Sequence, residues 1–134
     1  MNKTAFVTGG SRGIGRAIAC RLSREGWAVT VNYHSSAQQA EELVQAIRAQ
    51  GGQALAVQAD VADGPALTAA IRRAEEALGP VTCLVNNAGI ARQQLFQDTA
   101  PDFWRRIFAV NVDGAYHAIQ AVLPHMLHEK SGSI

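Results

Sequence analysis

Two periodicities of apolar residues alternate along this chain. Short runs such as Thr4-Ala5-Phe6-Val7 and Ala54-Leu55-Ala56-Val57-Gln58 place apolar side chains at successive positions, as a strand buried on both faces does. Between such runs lie longer stretches with apolar residues at i, i+3, i+4 and i+7, for example Ala40, Leu43, Val44 and Ile47. The predicted order is strand over 3–8, helix over 13–25, strand over 28–33, helix over 36–50, strand over 54–58, helix over 64–78 and strand over 82–86. Gly26 and Gly51-Gly52 stop the first two helices, Pro65 falls in the first turn of the third, and Gly79-Pro80 follows its end. Residues 90–98 form a polar loop. Thr99-Ala100-Pro101-Asp102 has the form of a capping box opening a fourth helix, which carries Phe103, Trp104, Ile107 and Phe108. A fifth helix covers about 112–129, and Gly132-Ser133-Ile134 leads into a fifth strand.

Strand–helix units in succession give a parallel sheet with helices on both faces, because right-handed crossovers are strongly favoured. The expected fold is therefore α/β, a doubly wound parallel sheet that is incomplete, with strands one to four and the start of strand five. No internal repeat or linker interrupts it. Ligands of such sheets bind beyond the carboxyl ends of the strands, at the switch in strand order that strands one and four flank.

Composition narrows the classes. The chain has 134 residues, 48% apolar and 17% charged, which is globular rather than disordered. A net charge of +1 gives no electrostatic case for nucleic acid or an anionic membrane. No apolar run approaches the roughly 20 residues of a membrane span. Met1-Asn2-Lys3 runs straight into the first strand, leaving no room for a signal peptide, so a cytoplasmic protein is expected. Cys20 and Cys83 lie in apolar stretches and read as core thiols of a reducing compartment. His125 and His128 share a helix face, but no third ligand accompanies them, so no metal is expected.

The chemistry gathers at the strand ends. Thr8-Gly9-Gly10-Ser11-Arg12-Gly13-Ile14-Gly15 joins the first strand to the first helix. Glycine permits positive φ and close ligand approach, and the helix start offers unpaired N–H groups, so the turn suits a phosphate. Its Gly9-x-x-x-Gly13-x-Gly15 spacing is neither the G-x-G-x-x-G dinucleotide fingerprint nor a P-loop, and alone it could be an ordinary tight turn. The second strand ends in Asn32-Tyr33-His34-Ser35-Ser36, with no acid to hold a ribose 2′-hydroxyl. Arg12, Ser35 and Ser36 can instead serve a 2′-phosphate, which favours NADP, and Ser35-Ser36 can also cap the second helix. The third strand ends at Asp60-Val61, where a carboxylate can accept from an adenine amino group, while Asp63 is a candidate helix cap. The fourth ends in Asn86-Asn87-Ala88-Gly89, whose small residues admit a ribose and whose amides can tie strands together.

Taken together, the glycine turn, Asp60-Val61, Asn86-Asn87-Ala88-Gly89 and Asn111 resemble the short-chain dehydrogenases/reductases, along the whole chain. The likeness is greatest to the 3-oxoacyl-acyl-carrier-protein reductase branch. The related elongation factor P 5-aminopentanone reductases share a similar texture around Gly89-Ile90-Ala91-Arg92-Gln93-Gln94. The resemblance implies a Rossmann-type domain over 1–134, the N-terminal half of a longer reductase that uses NADPH to reduce a small-molecule or carrier-bound carbonyl. Gly9, Ser11, Arg12, Gly13, Ile14 and Gly15 would wrap the pyrophosphate and adenosine; Tyr33, Ser35 and Ser36 would flank the 2′-phosphate. Asp60 and Val61 would contact adenine, and Asn87, Ala88 and Gly89 would line the ribose. Asn111 would sit at a break between the fourth and fifth helices, its backbone carbonyl holding a water of the proton relay, although it also reads as a helix-interrupting amide. A homo-oligomer, a tetramer, is implied for the longer protein.

The family's proton donor is the tyrosine of a Tyr-x-x-x-Lys, with a serine on the fifth strand polarising the carbonyl. Here Tyr33 is followed four positions later by Ala37 and Tyr116 by Gln120. The catalytic serine, tyrosine and lysine would lie beyond Ile134, so these residues alone are expected to be inactive. Val112, Ala115, Ile119, Val122, Leu123 and Met126 form an apolar stripe on the fifth helix that would need a cover, so residues 1–134 alone are expected to fold poorly or associate. The rival of another class is a non-catalytic dinucleotide-binding module; Asn-Asn-Ala-Gly and Asn111 speak against nucleotide-sugar and methyl-donor enzymes.

Overall fold

The computed structural model describes residues 3–134. Four parallel strands, β1 (Thr4–Val7), β2 (Ala28–Tyr33), β3 (Ala54–Gln58) and β4 (Cys83–Val85), lie in the order β3-β2-β1-β4. Helices α1 (Gly13–Arg24), α2 (Ala37–Ala49) and α3 (Gly64–Leu78) make the crossovers. The order switches between β1 and β4, where Val7 stands opposite Val85. Beyond β4, Ser133 forms an isolated parallel bridge with Cys83, donating to Thr82 and accepting from Leu84, so the expected fifth strand begins where the sheet has room for it.

Alternation along the strands splits the core into two layers. Val7, Val29 and Val31 face α1 and α2, where Leu43, Val44 and Ile47 bury the stripe read from the sequence. Phe6, Val57 and Leu84 face the other way, against Leu67 and Ile71 of α3 and Ala118, Val122 and Met126 of α5 (Gly114–Glu129). Thr30 is fully buried on β2, and its hydroxyl lacks a hydrogen-bond partner among the described residues. Both cysteines are free, and burial pushes the Cys83 thiol above its ordinary value. Among the described residues no helix is long and apolar enough to cross a membrane, and no cluster of metal-ligating side chains forms.

Three expectations need correction or refinement. The capping box at Thr99 does not form: α4 (Pro101–Phe108) has Ala100 at its N-cap, and the Thr99 hydroxyl donates back to the Leu95 carbonyl. Proline at the first helical position sets this boundary, because its ring fixes φ and disfavours helix at the residue before it. The break expected at Asn111 takes the form of a π-helical turn, Ala109–Asp113, which interrupts the α-helical pattern there while α4 runs on into α5. Finally, the α5 stripe is covered in part. Val122 and Met126 are buried against α3, and Ala115, Ile119 and Leu123 are half-buried. Val112 stays exposed and joins Trp104, Phe108 and Tyr116 in an exposed apolar row that runs from α4 through the π turn into α5.

Candidate functional site

An open groove of about 420 Å³ runs across the carboxyl ends of the strands. Its floor is the turn after β1. Gly9 (φ +60°) and Gly13 (φ +59°) adopt left-handed backbone there, and among the described residues no side chain caps the first turn of α1. The free N–H groups and dipole of that helix end therefore face the groove wall formed by Gly9, Ser11, Arg12 and Gly13.

The turn is held by its neighbours on both sides. The Gly10 N–H donates to the Asn32 carbonyl on β2. The Asn87 side chain after β4 donates to the carbonyls of Thr8 (3.1 Å) and Gly9 (3.0 Å), while the Thr8 hydroxyl accepts from the N–H groups of Asn87 and Ala88. The close approach requires glycine: a Cβ on Gly9 would stand 3.0 Å from the Cα of Ala88. A Cβ on Gly15 would run into the Gly9 carbonyl and the Asn87 amide. Asn87 thus does the strand-tying expected of the Asn-Asn pair, while Asn86 is exposed.

At the end of β2, Tyr33, His34, Ser35 and Ser36 line the groove. Ser36 occupies the N-cap position of α2 but makes no side-chain cap bond, so the expected capping role is not realised. Asp63, by contrast, does cap α3 through the Ala66 N–H. Arg12 is exposed and has no ion-pair partner among the described residues.

Asp60 and Val61, after β3, line the far wall. The Asp60 carboxylate accepts from the Ala62 N–H (3.0 Å) and from Arg106 of α4 (2.8 Å), with His34 at 3.9 Å. Burial by itself would raise the Asp60 pKa, but the Arg106 and Ala62 hydrogen bonds and the charges of Arg106 and His34 outweigh it and hold the carboxyl below 3.8. Val61 is buried, its carbonyl 2.9 Å from the His117 ring Nδ1. Asn111 lies in the π turn, and its side chain is engaged with the backbone of Ile90, which lines the groove.

The matching family model, described as short chain dehydrogenase, spans residues 3–134. The chain belongs to the short-chain dehydrogenase family. Over all 134 residues it is 43% identical to the 3-oxoacyl-acyl-carrier-protein reductase FabG of Staphylococcus epidermidis, covering 55% of that protein. A short chain dehydrogenase from Burkholderia cenocepacia, solved in complex with NADP, is 45% identical with a TM-score of 0.88, over 91% of this chain and 50% of that one. A blue fluorescent protein from a metagenomic library, solved in complex with NADPH, is 43% identical with a TM-score of 0.87, again over 91% and 50%. The chain spans about half the length of these relatives.

Within this dehydrogenase chain, most residues singled out from the sequence converge on the groove. Gly9, Ser11, Arg12, Gly13, Tyr33, Ser35, Ser36, Asp60, Val61, Asn87, Ala88 and Gly89 all line it. Ile14 points to solvent at 75% exposure, Gly15 is packed beneath the turn, and Asn111 borders a smaller cleft with Thr8 and Gly114. Sequence reasoning missed Asn32, His34, Ala59, Ile90, Arg106 and Val110 as lining residues. His34 stood beside Ser35 and could have been found. Arg106 lies 46 residues from Asp60, and only the folded packing of α4 brings the two together.

Proposed function

We propose that residues 1–134 form the cofactor-binding portion of an NADPH-dependent reductase that converts a carbonyl to an alcohol, with a 3-oxoacyl group on an acyl carrier as substrate. The observation that carries this reading is the groove itself: a helix start with no side-chain cap and an Arg12 with no ion-pair partner among the described residues, Gly9 and Gly15 packed too closely for a Cβ, and a β2 end without an acid. These features suit a dinucleotide with a 2′-phosphate. The N–H groups of α1 would hold the pyrophosphate. Arg12, Ser35 and Ser36 would hold the 2′-phosphate, with Tyr33 alongside. Asp60 and Val61 would take the adenine, and Asn87, Ala88 and Gly89 the nicotinamide-side ribose.

NADPH, when bound, supplies the hydride that reduces the carbonyl carbon. The chain's own part is to bind and orient it. Asn111 has its side chain committed to Ile90, so its contribution to a proton relay would come from its backbone carbonyl. Neither Tyr33 nor Tyr116 has a lysine four positions on, so these residues by themselves would bind cofactor without reducing substrate. The acyl-carrier substrate is supported by the Staphylococcus epidermidis relative. The exposed Trp104, Phe108, Val112 and Tyr116 row supports a homo-oligomer, and the absence of a spanning helix among the described residues accords with a cytoplasmic setting.

The test is to follow NADPH consumption by the polypeptide carrying this chain, with acetoacetyl thioester as substrate. Consumption that depends on the thioester supports the reading. Tight NADPH binding without turnover of any carbonyl supplied would favour the non-catalytic module instead.

A further inference from the structure

The β3–α3 loop is gripped from outside by the α4–α5 unit. Arg106 of α4 reaches the Asp60 carboxylate, and His117 of α5 reaches the Val61 carbonyl. Gly114 lies so close beneath Val61 that a Cβ there would stand 2.7 Å from its side chain. Of these three contacts, Arg106 is the one that also lines the groove, on the same wall as Asp60.

We propose that Arg106 is a positioning residue that fixes the Asp60 carboxylate in the orientation that selects a 6-aminopurine at this end of the groove. The inference rests on the cofactor reading above and adds a residue and a discrimination to it. Each carboxylate oxygen can accept two hydrogen bonds. Oδ1 accepts one from the Ala62 N–H and Oδ2 accepts one from Arg106, so each keeps capacity for a donor in the groove. An ionised carboxylate is an acceptor only. It matches the amino group of adenine and opposes the oxo group that replaces it in hypoxanthine. Without Arg106, the Ala62 N–H would be the one hydrogen bond left to the carboxylate among the described residues, with His34 no nearer than 3.9 Å, and the side chain, 25% exposed, could turn away. The guanidinium is suited to the task because its planar array of donors fixes an oxygen in direction as well as distance.

The experiment compares binding of NADPH and of deamino-NADPH, which carries a 6-oxo group, to the intact protein and to Arg106→Met, Arg106→Lys, Asp60→Asn and the Arg106→Met/Asp60→Asn double variant. The unaltered protein should prefer NADPH by roughly tenfold or more, the range for leaving a polar group unpaired. Arg106→Met should weaken NADPH selectively and bring the ratio towards one, Arg106→Lys should recover part of it, and Arg106→Met should add nothing once Asp60 is Asn. Equal weakening of both cofactors by Arg106→Met would overturn the proposal, since it would mean a direct phosphate contact or a general loss of fold. A full Arg106→Met effect in the Asp60→Asn background would also overturn it. NADPH binding without any discrimination removes this inference and leaves the cofactor reading standing; binding of neither cofactor removes both.

Discussion

The side chain of Asn111 and the backbone of Ile90 hold each other by two hydrogen bonds, one in each direction and both 2.8 Å long. The amide oxygen accepts from the Ile90 N–H and the amide nitrogen donates to the Ile90 carbonyl. A residue in the π turn thereby pins the start of the loop that leaves β4, beside Gly89 at the groove's edge.

Replacing Asn111 with Ala should release that loop. Ile90 is partly exposed, so water can take over its backbone groups and the cost to stability should be only about 1 kcal/mol. The sharper readout is amide hydrogen exchange: the Ile90 N–H should exchange markedly faster in Asn111→Ala. Unchanged exchange would mean that the clamp does not hold in solution.

Gly13 and Gly15 are glycines for different reasons, and substitution should separate them. Gly13 has φ +59° with nothing near its missing Cβ, so Gly13→Ala should cost about 1–2 kcal/mol of backbone strain and little else. At Gly15 a methyl group meets the Gly9 carbonyl and the Asn87 amide, so Gly15→Ala should cost about 1–3 kcal/mol and also push the turn out of shape. Urea unfolding gives the stabilities. NADPH affinity should fall further for Gly15→Ala than for Gly13→Ala.

Thr30→Val should stabilise the protein. The Thr30 hydroxyl is buried without a partner among the described residues, and valine fills nearly the same volume without needing one. A gain of about 1 kcal/mol in urea unfolding is expected. A loss would show that the hydroxyl is hydrogen-bonded in solution.

Asp60 makes stability depend on pH in one direction. Its carboxyl pKa is lower in the folded protein than the ordinary 3.8, so the folded state binds its proton less readily than the unfolded state. Its contribution is present above the unfolded value and is lost as pH falls through the folded one. The urea midpoint should therefore decline on acidification below about pH 4, and Asp60→Asn should flatten that decline. An acid limb identical in Asp60→Asn would remove Asp60 as its source.

Much of this was legible in the sequence because the local signals agreed with the global fold. Helix α3 runs over 64–78 as its pattern predicts, with Asp63 capping it and proline in its first turn. The glycine turn, Asp60-Val61 and Asn87-Ala88-Gly89 could be placed together because parallel strands all end on one side. What stayed hidden depends on register and long-range packing. A π turn adds a residue to a helix without any compositional mark, so the sequence at Asn111 suggested a break but not its form. The cap of α4 went to Ala100 because Pro101, rather than Thr99, sets the boundary. The Arg106–Asp60 pair joins elements that no local pattern relates.

The most direct test of the account is a comparison of NADPH and NADH dissociation constants for the protein and for Arg12→Ala. NADPH should bind the more tightly, and Arg12→Ala should weaken NADPH by roughly tenfold or more while leaving NADH nearly unchanged, as expected for loss of one charge-assisted phosphate contact. Tighter binding of NADH, or an Arg12→Ala variant that treats the two cofactors alike, would contradict the assignment of this groove to a 2′-phosphorylated dinucleotide.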